Sequence, residues 1–197
     1  TIETSLEAYY KKMKNLIDYK NGAVIVMNEN IETDIVSGSG KAYGIELMIR
    51  KNSGMLTGWV SYTFSRTWKN TISPFPEDLV NNGDFYPAPY DKPHELSSSM
   101  HYRFSRRWSI SGNFIYSSGR PATLPEYQLE IMDRKMVYFS DRNKYRLPDY
   151  HRLDLSITFH GHLRAEQRYI SSWTFSVFNV YGRANPYSVY YTKDQPT

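Results

Sequence analysis

Gly58-Trp-Val-Ser-Tyr-Thr-Phe-Ser-Arg-Thr-Trp68 decides the fold class. Val60, Tyr62, Phe64 and, past an interruption at Arg66, Trp68 carry the apolar groups, while Ser61, Thr63, Ser65 and Thr67 carry small polar ones. A period of two is the mark of a strand with two unlike faces. The same alternation recurs on both sides. Tyr43, Ile45, Leu47 and Ile49 oppose Glu46, Met48 and Arg50, and Leu96, Met100, Tyr102 and Phe104 oppose Ser97, Ser99, His101 and Arg103. Trp108, Ile110, Phe114 and Tyr116 alternate with Ser109, Ser111 and Asn113; Leu153, Leu155, Ile157 and Phe159 with Arg152, Asp154, Ser156 and Thr158; and Trp173, Phe175 and Val177 with Thr174 and Ser176. Leu6 to Met13 repeats the pattern more weakly. Seven strands are therefore expected, beginning near Leu6, Tyr43, Thr57, Glu95, Trp108, Arg152 and Trp173, with a short stub at Tyr187 to Tyr191.

The connections alternate in length. Residues 51–55, 105–107 and 161–171 read as short turns, whereas 15–41, 70–92 and 119–150 are long, irregular and rich in Asn, Asp, Pro and Gly. An up-and-down antiparallel sheet places every second connection on the same rim, so one rim carries short turns and the other long loops.

The chain has 197 residues, with eighteen Tyr, nine Phe and four Trp but no cysteine. Disulfide scaffolds, cysteine-ligated metals and thiol catalysis are excluded. The net charge of +4 is spread among 20 acidic residues without a basic stripe, which argues against nucleic acid. No apolar run approaches the roughly 20 residues of a spanning helix. The opening Thr1-Ile-Glu-Thr-Ser-Leu6 has no signal-peptide pattern, and the end at Asp194-Gln-Pro-Thr197 has no closing amphipathic strand, so residues 1–197 are expected to be an incomplete piece of a longer barrel.

An aromatic apolar face, a Ser/Thr/Asn/His/Arg face and unequal rims together fit an all-β transmembrane barrel whose apolar face meets lipid. Arg66 departs from this by sitting on the apolar face, where an interfacial height would make it cheap. Tyr62, Trp68, Trp108, Tyr116 and Trp173 are candidate girdle residues. A soluble lipocalin-like binding protein would show the same alternation with its apolar face turned inward, and a passive porin-like barrel would share the membrane pattern.

Six phrases narrow these readings. Lys41-Ala-Tyr-Gly-Ile-Glu-Leu47, Gly58-Trp-Val-Ser-Tyr-Thr-Phe-Ser-Arg66, Tyr90-Asp-Lys-Pro-His-Glu-Leu96, Ser118-Gly-Arg-Pro121, Arg146-Leu-Pro-Asp-Tyr-His-Arg-Leu-Asp154 and Phe178-Asn-Val-Tyr-Gly-Arg-Ala-Asn-Pro-Tyr187 occur in that order. Together they resemble the C-terminal part of the barrel of TonB-dependent outer-membrane receptors of Bacteroidetes type. The resemblance implies about seven or eight strands of a large antiparallel 22-stranded barrel in the bacterial outer membrane, with short periplasmic turns and long extracellular loops. It also implies an N-terminal plug domain and the rest of the barrel as partners, the TonB complex acting through the plug, and a surface lipoprotein in some glycan and peptide importers. The implied function is energised import of a scarce nutrient: siderophore, cobalamin, glycan or peptide. The plug and the final strand are not in this sequence.

Two residue sets carry the functional expectations. Phe85, Tyr86, Tyr90, Tyr127, Tyr138, Tyr145 and Arg146 place rings and cations on the long-loop rim, where they can capture substrate or pack loops together. Glu46, Arg50, His101, Arg103, Arg152 and Asp154 are lumen residues expected to pair across strands and hydrogen-bond a plug. His160 and His162 flank Gly161 but lack a third ligand, so no metal site and no cofactor are expected. Ser156, Asp154 and His151 lack a nucleophile elbow, and an enzyme is not expected.

Overall fold

The computed structural model describes residues 1–23, 27–131, 134–161, 171–186 and 188–189. Its strands are β1 (Ile2–Tyr19), β2 (Ile35–Lys51), β3 (Leu56–Ile72), β4 (Tyr86–Pro87), β5 (His94–Arg103), β6 (Trp108–Ser117), β7 (Pro121–Ala122), β8 (Pro125–Ile131), β9 (Arg134–Phe139), β10 (Tyr145–Arg146), β11 (Tyr150–His160) and β12 (Ser172–Val177). The main sheet is antiparallel in the order β1-β2-β3-β5-β6-β11-β12, with the short β4 beside β3. It is open, with β1 and β12 at its edges. Among the described residues no helix is long and apolar enough to cross a membrane, which leaves crossing by strands untouched.

Register turns seven separate alternations into two continuous faces. Leu6 pairs with Leu47, Leu47 with Tyr62, Tyr62 with Leu96, Leu96 with Tyr116, and Phe114 with Leu153. Further along, Ile157 joins Ile110 to Phe175. Every apolar set thus lies on one side of the sheet, here called outward. Among the described residues nothing packs over it: Ile45 is 50% exposed and Phe175 is 73% exposed. A soluble sandwich or lipocalin covers such a face with a second layer. The described residues supply none.

The buried core instead lies at the long-loop rim, in Val36, Ala42, Val80, Tyr86 and Ala88. Strand length explains why. A spanning strand needs about 9–11 residues, and β5, β6 and β11 have 10, 10 and 11. β1, β2 and β3 have 18, 17 and 17, so they run on past the length of the others and give the loops a wall to pack against.

Several expectations are corrected here. The weak pattern at Leu6 to Met13 is a full strand from Ile2 to Tyr19, and the supposed loop 15–41 shrinks because β1 ends late and β2 starts at Ile35. Asn15, at φ 55°, marks a bulge between Lys14 and Leu16. The extra residue switches the frame, so that even positions face outward below it and odd positions above it. Leu16 and Asp18 thereby turn inward opposite Gly38 and Val36. The stretch 119–150 is not irregular throughout, since β8 and β9 form a hairpin and β7 pairs with β10. Ser188 and Val189 form no strand; Tyr187, Tyr190 and Tyr191 of the expected stub lie outside the described residues, as does His162.

Candidate functional site

Three segments meet on the inward side of the sheet at the long-loop rim: the end of β1, the loop 73–93 and the loop 118–149. Asp18, turned inward by the bulge, accepts Lys69 Nζ at 2.6 Å, Arg142 Nη1 at 3.2 Å and the Tyr86 hydroxyl at 2.5 Å. Arg142 also donates to the carbonyls of Tyr19 and Lys20 at 2.7 and 3.1 Å. Asn81 and Arg142 exchange a reciprocal pair, Asn81 Nδ2 donating to the Arg142 carbonyl at 3.0 Å and the Arg142 N–H to Asn81 Oδ1 at 2.8 Å. Asn143 Nδ2 donates to the Pro87 carbonyl at 2.8 Å. Asn81, Asn82 and Asn143 all sit at positive φ, a conformation that Asn tolerates better than most residues. These are polar rivets between backbones far apart in sequence.

A second junction centres on Asp91, whose carboxylate is fully buried. It accepts the Thr67 N–H at 2.6 Å, Arg66 Nε at 3.3 Å and the Arg146 guanidinium. Arg146 Nη1 then spans the carbonyls of Asp91 and Gly119 at 2.8 and 2.9 Å. The outward Arg66 is thus neutralised by a loop carboxylate and stacked over Trp68 at 4.5 Å, which accounts for its place on the apolar face. Gly119 is required by this closeness: a Cβ there would fall 1.6 Å from the Leu147 carbonyl oxygen. Gly119→Ala is expected to destabilise the loop by about 1–3 kcal/mol through overpacking, read as faster proteolysis between 118 and 149 while the barrel stays folded.

The rim candidates separate by environment. Tyr86 is 2% exposed, and burial followed by the Asp18 carboxylate pushes its phenol well above the ordinary tyrosine range, so it remains a neutral donor. Arg146 is held by Asp91. Phe85 stands under the Lys41 ammonium at 4.4 Å. Tyr90 is 66% exposed and Tyr127 is 56% exposed, and Tyr127 stacks on Tyr138 with ring centroids 4.9 Å apart and planes at 14°. Tyr145 donates to Glu126 at 3.0 Å, and Lys144 reaches the same oxygen at 2.8 Å. These two partners, Lys144 first, hold the Glu126 carboxyl below its usual range.

Among the lumen candidates, His101 Nδ1 meets Ser111 Oγ at 2.9 Å across strands, and Arg152 pairs along its own strand with Asp154 at 2.9 Å. Asp154 also accepts the Asn179 N–H at 2.9 Å, tying down the segment after β12. Glu46, Arg50 and Arg103 are exposed on the inward face. Below the loop cap lies a cleft of about 470 Å³, lined by Lys92, Glu95, Ser97, Ser117, Arg120 and Tyr150 among others. Sequence reasoning missed this set, although Glu95 and Ser97 occupy the polar phase of a recognised strand. No group of metal-ligating side chains is found among the described residues.

A model of the family described as TonB dependent receptor-like, beta-barrel matches residues 1–180. No curated protein and no solved structure matches the chain. An open antiparallel sheet with a bare apolar face, a polar inner face and long loops capping one rim is the form a wall segment of such a barrel takes, and the chain belongs to the TonB-dependent receptor β-barrel family.

Proposed function

We propose that this chain is the C-terminal wall and extracellular loop platform of a receptor that captures a scarce nutrient and imports it with TonB-coupled energy. Outer-membrane transport is the general business of the family; the energy coupling, the plug and the class of cargo belong to the proposal. The observation that carries it is a set of exposed loop rings, Tyr90 and the stacked Tyr127–Tyr138 pair, together with a cleft of mixed polar and apolar lining that includes Lys92, Glu95, Ile115 and Leu147. Rings stack on sugars, chelates and peptide side chains, and the cleft supplies hydrogen bonds to what passes beneath. The inward face, including Glu46, Arg50, His101 and Arg103, is assigned to plug contact. A surface lipoprotein partner is part of the same proposal for glycan or peptide cargo.

The test is growth of a strain in which the complete receptor is the sole route for a ferric siderophore, cobalamin, an oligosaccharide or a peptide. Growth on one of these is expected with TonB present and absent without it; growth independent of TonB would replace the reading with a passive pore. For the compound that supports growth, Tyr127→Ala combined with Tyr138→Ala is expected to lower whole-cell binding roughly tenfold, from two ring contacts of about 0.5–1.5 kcal/mol each. Unchanged binding would return these rings to loop packing.

A further inference from the structure

Lysines cap the lipid band of β2 at both ends. On its outward face Lys41, Tyr43, Ile45, Leu47, Ile49 and Lys51 follow at alternate positions. Lys41 pairs with Lys12 on β1 and with Trp68 on β3, and the row below it is Tyr10–Tyr43–Arg66. Lys14 stands one row higher, opposite Ser39. From Lys51 to Lys41 is roughly 33 Å along the strand at about 3.3 Å per residue, or roughly 23 Å of height at a tilt of about 45°. The apolar band of such barrels is about 25 Å tall. Lys12 and Lys41 therefore stand at the upper edge of the hydrocarbon at the long-loop rim, with Lys14 one row beyond it and a belt of tyrosines below.

Their surroundings leave the charge uncompensated. No outward position of β1, β2 or β3 is acidic, because Glu3, Glu7, Asp18 and Glu46 all fall in the inward phase. Arg66 is already spent on Asp91. Lys12 and Lys41 contact rings, Tyr10 at 6.0 Å and Phe85 at 4.4 Å, and none of the three lysines forms an ion pair among the described residues. Ammonium groups clustered on adjacent strands at one rim, next to aromatic side chains, match a ligand that has phosphate on top and acyl chains below.

We propose that Lys12, Lys14 and Lys41 form a binding strip on the outside of the barrel for the phosphate groups of an outer-leaflet phosphorylated glycolipid, with Tyr10, Tyr43 and Phe85 contacting its sugar–acyl boundary. This rests on the long-loop rim facing the cell exterior.

The complete receptor, extracted in mild detergent from outer membranes, is titrated with bisphosphorylated lipid A and with its dephosphorylated form, binding being read by native mass spectrometry. Wild type is expected to hold the phosphorylated form at least tenfold more tightly, and Lys12→Gln/Lys14→Gln/Lys41→Gln to abolish that preference. Lys51→Gln, at the opposite rim, is expected to change nothing, and the triple Lys→Arg variant to retain binding. Equal binding of the two lipids by wild type, or an unchanged preference in the triple Gln variant, overturns the proposal, as does an equal loss from Lys51→Gln. Heat-modifiable migration of each variant in gels confirms a folded barrel, and the Arg variant supports the assignment should the Gln variant not assemble. Surface labelling of a tag inserted at 52–54 separates a wrong orientation, which would sink the premise, from a correct orientation without lipid binding.

Discussion

Asp91→Ala should unfasten the long loops while leaving the barrel wall in place. The carboxylate is fully buried and holds Arg66, Arg146 and the Thr67 N–H together. Its removal leaves two guanidinium groups competing for water in a partly enclosed site. Losing one partner of a buried ion pair costs about 3–5 kcal/mol; Arg66 and Arg146 are partly exposed, so about 3 kcal/mol is expected. Asp91→Asn keeps an acceptor for the Thr67 N–H and should lose less. Trypsin cleavage at Lys92 and Arg120 in the complete, detergent-folded receptor reads the effect: rapid cutting in the alanine variant, with the barrel fragments still heat-modifiable, is the expected outcome. Cutting at the wild-type rate would mean that the Asn81–Arg142 and Asn143–Pro87 contacts hold the loops without it.

Phe114→Arg tests which side of the sheet meets lipid. Phe114 lies mid-strand on the outward face between Ser98 and Leu153. A cation near the bilayer midplane costs about 2–4 kcal/mol, so folding into vesicles should shift by that amount in urea. Asn113→Arg, one residue earlier, points inward and should fall within about 0.5 kcal/mol of wild type. Equal effects at the two positions would break the face assignment.

The strand frame was legible because a sheet with two unlike faces imposes a period of two: wherever both faces matter, as in Val60 to Trp68 or Leu153 to Phe159, the pattern is unmistakable. It faded where the strands run on beside the loops. Above Lys41, β2 is Ile35-Val-Ser-Gly-Ser-Gly40, small residues that read as a loop yet form a strand because β1 and β3 extend alongside. The β8–β9 hairpin was hidden for the opposite reason: Tyr127 and Leu129 alternate, but within a stretch whose Pro and Asp content signals irregularity. The loop network was beyond reach, since Arg142 and Tyr19 lie 123 residues apart and nothing local to either marks the other. Thus Tyr86 and Arg146, chosen as rim chemistry, turn out to be joined to Asp18 and Asp91, while Tyr127 and Tyr138 stack on each other at the surface.

The bulge at Asn15 has a consequence for how such a chain changes over generations. Below it the even positions join the outward apolar face, and above it Leu16 and Asp18 turn to the loop cap, so a residue gained or lost at the junction alters no length that matters but exchanges what is inside for what is outside. One residue at Asn15 thus lets a single unbroken strand serve two neighbourhoods, the open face below and the crowded junction of Asp18, Lys69, Tyr86 and Arg142 above.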